Sequence, residues 1–152
     1  MSTVEVDQSG KIERTHTDTF LAFSDSLHYV ICIPARVKKA GQAALRSKWR
    51  RRKGKKAIHI RLFAAGLFLL LKDHLTDLGQ IVIDTEYTGR ESDIRGMLLE
   101  LIRRIEPDYL AERIIFRRIG KRSAAHNLAW ETHRGKRKPD HTITEGELLN
   151  LL

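Results

Sequence analysis

Ile81-Val82-Ile83-Asp84-Thr85-Glu86-Tyr87 is the stretch that most restricts what this chain can become. Three β-branched apolar residues in a row read as a strand buried on both faces, and such a strand needs cover above and below. The run then ends in acids. Period-two alternation over a strand from Ile81 to Tyr87 sends Asp84 and Glu86 to one face at its C-terminal end. Two carboxylates so placed suit a hard divalent cation, which prefers oxygen ligands. The same pair also serves at an ordinary solvated strand end.

The flanking sequence supplies partners for such a strand. Thr3-Val4-Glu5-Val6-Asp7 alternates and breaks at Gln8-Ser9-Gly10, which predicts a short strand with Asp7 at its end and a tight bend after it. Asp before Ser-Gly is also a common turn residue. Thr19 to Ser24 and His28 to Ile33 read as two more strands, the second closed by Pro34. Short links make these an antiparallel meander, and apolar residues on both faces call for helices on each side.

Ala35 to Trp49 and Ala57 to Leu78 then read as helices. Leu62, Phe63, Gly66, Leu67, Leu70 and Leu71 form the apolar stripe of the second, with Gly79 placed to end it. Ile94 to Ile105 is a third helix, opened by Glu91-Ser92-Asp93 and stopped by Glu106-Pro107. Ile114-Ile115-Phe116 is a last short strand, and Ser123 is the N-cap of a final helix from Ala124 to about His133. The expected order is βββαβαβα in one α/β domain over residues 1–152, with a mixed five-stranded sheet between helices. Thr144 to Leu149 predicts a short capped helix that packs back or pairs with another protomer as a homodimer.

Charge points to the partner. Lys and Arg number 28 against 19 acids, a net charge of +9 with pI near 10.0. That balance suits a polyanion, because displaced counterions favour phosphate binding. A basic loop at 46–56 carries Lys48, Trp49, Arg50, Arg51, Arg52, Lys53, Lys55 and Lys56, and an aromatic among cations suits phosphate contacts with base stacking. A basic C-terminal arm at 132–141 adds Arg134, Lys136, Arg137 and Lys138. Either run also reads as a solvated charged surface. The lone Cys32 cannot form an internal disulfide, which fits a reducing, cytoplasmic setting. The N-terminus has no signal-peptide pattern, and the longest apolar stretch, Leu62 to Leu71, is about half the length that spans a membrane.

The order of elements, together with three short motifs, resembles the ribonuclease H-like superfamily over nearly the whole chain. Val6-Asp7-Gln8-Ser9-Gly10 matches the first-strand acid, and Ile83-Asp84-Thr85-Glu86-Tyr87 the fourth-strand acid with Glu86 two residues on. Ser123-Ala124-Ala125-His126-Asn127-Leu128-Ala129 resembles the motif at the start of the last helix, with His126 where a ligand stands. Some Holliday-junction resolvases of the superfamily likewise use a histidine there, and uncharacterised members share the Asp-x-Ser-Gly motif. The chain departs from ribonuclease H itself in lacking a first-helix glutamate between Ala35 and Lys56.

The resemblance implies a divalent-metal-dependent nuclease acting on DNA or RNA, with a two-metal Mg2+ or Mn2+ site held by Asp7, Asp84, Glu86 and His126. Lys121 or Arg122 would contact the scissile phosphate. The rival expectation is a non-catalytic nucleic-acid-binding module on the same fold. Asp140, Glu145 and Glu147 are alternatives to His126 as ligand.

Overall fold

The structure is a computed structural model that describes residues 2–49 and 54–152; the Arg50, Arg51, Arg52 and Lys53 part of the basic loop lies outside the described residues. The chain runs β1 (Ser2–Ser9), β2 (Thr19–Ser24), β3 (His28–Ile33), α1 (Ala35–Trp49), α2 (Lys55–Leu71), β4 (Leu78–Ile83) and α3 (Glu91–Ile102). A 3-10 turn at Ala111–Arg113 leads into β5 (Ile114–Phe116), α4 (Ala124–His133), β6 (His141–Thr142) and α5 (Glu145–Leu149).

The fold is α/β around a mixed six-stranded sheet in the order β5-β4-β1-β2-β3-β6. β1, β2 and β3 form the expected antiparallel meander, whereas β4 runs parallel to both β1 and β5. The sixth strand is a correction to the five expected. His141 and Thr142 pair in parallel with Ile31 and Cys32. Both are exposed and polar, so no apolar pattern marked them.

Alternation along the strands divides the core. Val4, Val6, Leu21, Phe23, Ile31, Ile33, Ile81 and Ile83 face the layer of α1, α2 and α3. Phe20, Ala22, Val30 and Cys32 face the other way, where Ala129 of α4 meets them. Helices therefore cover both sides, as the two-faced apolar strands require. Residues 62–71 of α2 are all buried, because α1, α3 and α5 wrap the surfaces that the sheet leaves open. Among the described residues no helix is long and apolar enough to cross a membrane.

Several boundaries differ from expectation. α2 ends at Leu71 rather than Leu78, and residues 72–77 turn the chain back so that Leu78 can pair with Ser2. Leu75, buried one helical turn after Leu71, mimics a continuing helix. β4 stops at Ile83, so Asp84 to Glu86 lie beyond the strand instead of alternating within it. β1 continues past Asp7 to Ser9, which leaves Asp7 opposite Ala22 and inside the sheet. α3 ends at Ile102, three residues before the expected Ile105. α5 takes the packing-back alternative: Leu148 is buried, and its Thr144–Glu147 capping box closes the N-terminal turn.

Gly10 turns the chain out of β1 at a φ of 74°. A Cβ there would press into the Asp18 carbonyl oxygen. Gly10→Ala should cost about 1–3 kcal/mol from the left-handed backbone alone, with the clash in addition. Urea denaturation measures this directly, and an unchanged midpoint would show that the bend tolerates a side chain.

Candidate metal centre

β1 and β4 lie side by side and parallel, with Val6 opposite Ile83. The ladder continues one step beyond β4, where the Asp84 amide donates to the Val6 carbonyl at 3.0 Å. Asp7, within β1, and Asp84, just past the end of β4, are thereby brought together. Ligand oxygens of Asp7, Asp84 and Glu86 all lie within 4.8 Å of one another, close enough to share one cation. They open into a pocket of about 300 Å³ lined also by Gln8, Thr85, Arg118, Gly120, Lys121 and His126.

Each acid is held from a different side. Asp7, only 5% exposed, accepts from the Gln8 amide at 2.8 Å through Oδ1 and meets His126 Nδ1 at 2.8 Å through Oδ2. Asp84 Oδ1 accepts from the Ile119 amide at 2.9 Å. Together with the Arg117 amide donating to the Ile83 carbonyl at 3.1 Å, this ties the 117–122 segment to the end of β4. That tie carries Arg118 and Lys121 to the pocket rim. Glu86 is positioned through its neighbour: the Tyr87 hydroxyl donates to Glu13 at 2.9 Å and accepts from Gln8 Nε2 at 3.3 Å. The Tyr87 ring sits against Phe63 at 5.0 Å.

The electrostatics are those of acids pressed together out of water. Burial pushes the Glu86 carboxyl up to about 7, and the charges of Asp7 and Asp84 add to the rise while Lys11 opposes it. Asp7 is also raised, first by burial and then by Asp84, against the lowering effect of its Gln8 and His126 hydrogen bonds. A cation among these oxygens would offset the repulsion that adds to the effect of burial on both groups. All three donors are carboxylates, the oxygen ligands that a hard cation prefers.

His126 stands beside the acid cluster, bonded to Asp7. With Asp7 ionised, His126 Nδ1 is the donor in this bond. The contact belongs to a longer seam. Odd-numbered residues of β1 turn away from the Val4 and Val6 face and meet α4 in succession. Glu5 accepts from the Ser123 hydroxyl at 2.9 Å, Asp7 meets His126, and the Ser9 hydroxyl meets His133 Nδ1 at 2.7 Å. Ser123 also caps α4 by accepting from the Ala125 amide at 3.2 Å, as its position predicts.

The remaining candidates are dispersed. Lys121 lines the pocket and Arg122 does not. Lys48 reaches the Leu152 carbonyl at 3.0 Å, and Trp49 is half-buried against the helical core rather than presented to solvent. Lys55 and Lys56 are exposed in the first turn of α2. None of these four residues borders the acids. Arg134, Lys136 and Lys138 are exposed, with Arg137 partly covered. The arm they form is docked at its far end: Asp140 accepts from the Val30 amide at 2.9 Å and lies 3.5 Å from Arg137. Asp140 is thus committed to the β3 edge, and Glu147 to its capping box and to His141 at 2.9 Å. Neither these two nor Glu145 approaches the pocket.

Sequence reasoning missed Arg118, Gln8, Tyr87 and Glu13, whose roles depend on loop conformation. It also missed Lys38, which is fully buried. Its Nζ donates to the Arg14 carbonyl at 2.6 Å, to Thr19 Oγ1 at 2.8 Å and to the Lys11 carbonyl at 3.4 Å, and burial lowers it to about 8. This one ammonium organises the loop between β1 and β2 that carries Lys11 and Glu13 to the site. The polar alternation Glu5, Asp7, Ser9 against Val4, Val6 was the available signal for the seam.

Comparison with known proteins yields no match: no protein-family model, no curated protein and no solved structure matches this chain.

Proposed function

We propose that this protein is a divalent-metal-dependent nuclease that hydrolyses phosphodiester bonds in DNA or RNA on a ribonuclease H-like scaffold. The observation that carries the reading is the convergence of Asp7, Asp84 and Glu86 where β1 runs parallel beside the end of β4, beneath a basic rim. Asp7, Asp84 and Glu86 would hold magnesium or manganese, one ion or two, which would supply charge stabilisation for the attacking and leaving oxygens of the phosphodiester.

The chain's own groups divide the remaining work. Asp7 lies with the other two acids and is bonded to His126, so of the three residues that would hold a metal it is the one fixed by the last helix. The Ile119 amide fixes the rotamer of Asp84, and the Tyr87–Glu13 hydrogen bond limits where Glu86 can move. Arg118 and Lys121 supply the positive rim that draws a phosphate toward the acids, and the N-terminus of α4 adds a favourable dipole. His126 holds Asp7 in register and offers Nε2 to the pocket.

Calorimetric titration with Mn2+ in the absence of nucleic acid, followed by a cleavage assay over single-stranded, duplex, hybrid and branched substrates, tests this reading. Saturable Mn2+ binding and metal-dependent cleavage are expected. Mn2+ binding without cleavage of any substrate would replace the enzyme by a nucleic-acid-binding module, and absence of Mn2+ binding would overturn the metal centre itself.

A further inference from the structure

The N-terminal turn of α4 reaches the acids, and its C-terminal half carries an aromatic side chain that the metal centre does not use. Trp130 is 46% exposed, unusual for a residue that otherwise buries most of its area. It is not needed for the core, because Ala125, Ala129 and Thr132 make the buried contacts of α4. His126, Trp130 and His133 follow one another at helical spacing along the same side. The indole is braced from within the protein: it stands edge-on to His133 at 6.2 Å, and His133 lies 5.3 Å from Phe20 and is fixed by Ser9. The Arg134 guanidinium lies over the ring, 5.5 Å from its centre, with exposed Lys136 just beyond.

We infer that Trp130, with Arg134, is a stacking platform for an unpaired base of the strand being cut, next to the phosphate held at the acids. The inference rests on the nuclease reading and narrows its substrate to strands that are single-stranded or frayed at the cleavage point. An aromatic face stacks on any base that is free of its own stack, whereas the bases of a continuous duplex are closed to it. The cations around the ring match the backbone that such a base would bring. Spacing also agrees. One helical turn from His126 to Trp130 rises ~6 Å, between one and two stacked nucleotides at ~3.4 Å each.

The test compares a labelled single-stranded oligonucleotide with the corresponding duplex by fluorescence anisotropy, in EDTA so that nothing is cut and at one fixed salt concentration. Trp130→Ala should weaken single-strand binding about 5- to 150-fold, the range for one lost base–aromatic stack, and leave duplex binding unchanged. Trp130→Phe should recover most of the loss. Equal weakening on both forms, or no weakening on the single strand, overturns the platform while the nuclease reading stands. Failure of the wild-type protein to bind either form removes both. Alanine at an exposed helix position does not endanger the fold.

Discussion

Asp7→Asn should reduce magnesium- or manganese-dependent cleavage at least about 100-fold while leaving the protein folded and no less stable. Replacing a group that merely supports a metal ligand commonly costs 10- to 100-fold, so loss of a charged ligand oxygen should cost at least that much. The structural cost is small. Asparagine keeps Oδ1 for the Gln8 amide, and its NH2 can face His126 if the ring adopts the other tautomer. The electrostatic balance favours the variant, since the Asp7 carboxylate is raised by burial and by Asp84. An inactive variant with an equal or higher melting temperature marks a residue kept for function at the expense of stability. Nucleic-acid affinity in EDTA should change little. A variant that cleaves at the wild-type rate would take Asp7 out of the site.

How far the sequence could be read follows from which interactions are periodic and local. β2 and β3 fall where their apolar runs and Pro34 put them, and the start of α4 follows from the Ser123 cap. The Asp7–Asp84 encounter was foreseeable only through the order of elements, since a strand after a helical crossover can lie parallel beside the first. The placement of Glu86 was anticipated for the wrong reason: the chain leaves β4 at Ile83, and the anchored Tyr87 ring, rather than strand alternation, returns Glu86 to the acids. β6 has no apolar residue to announce it, so the basic arm read as free although Asp140 pins its end. Trp49 drew attention because cations surround it in sequence, yet it packs on the core, while Trp130, unremarked in the last helix, is the more open indole. Burial of a single side chain depends on what the fold brings over it, which a linear charge pattern does not contain.

Glu86 makes stability itself a report on the candidate metal centre. Its carboxyl is raised from 4.5 to about 7, chiefly by burial and then by Asp7 and Asp84. The folded protein therefore holds this proton more tightly than the unfolded chain does. Between those two values, raising the pH removes the proton from the unfolded state first, so stability falls as pH climbs from about 4.5 to 7 and stays lowered above that. In EDTA the melting temperature should accordingly drop between pH 5 and pH 8, with Asp7 contributing in the same direction. Glu86 is partly exposed, so solvent screening leaves on the order of 1–2 kcal/mol. For a chain of this size that amounts to about 2–8 °C. Magnesium or manganese should restore the loss at pH 8 and do little at pH 5, where protons compete for the same oxygens. Glu86→Gln should flatten the EDTA profile, raise the pH 8 melting temperature and diminish the metal response. Wild-type and variant melts that keep the same separation at every pH, with equal metal response, would show that Glu86 carries neither the strain nor the ion.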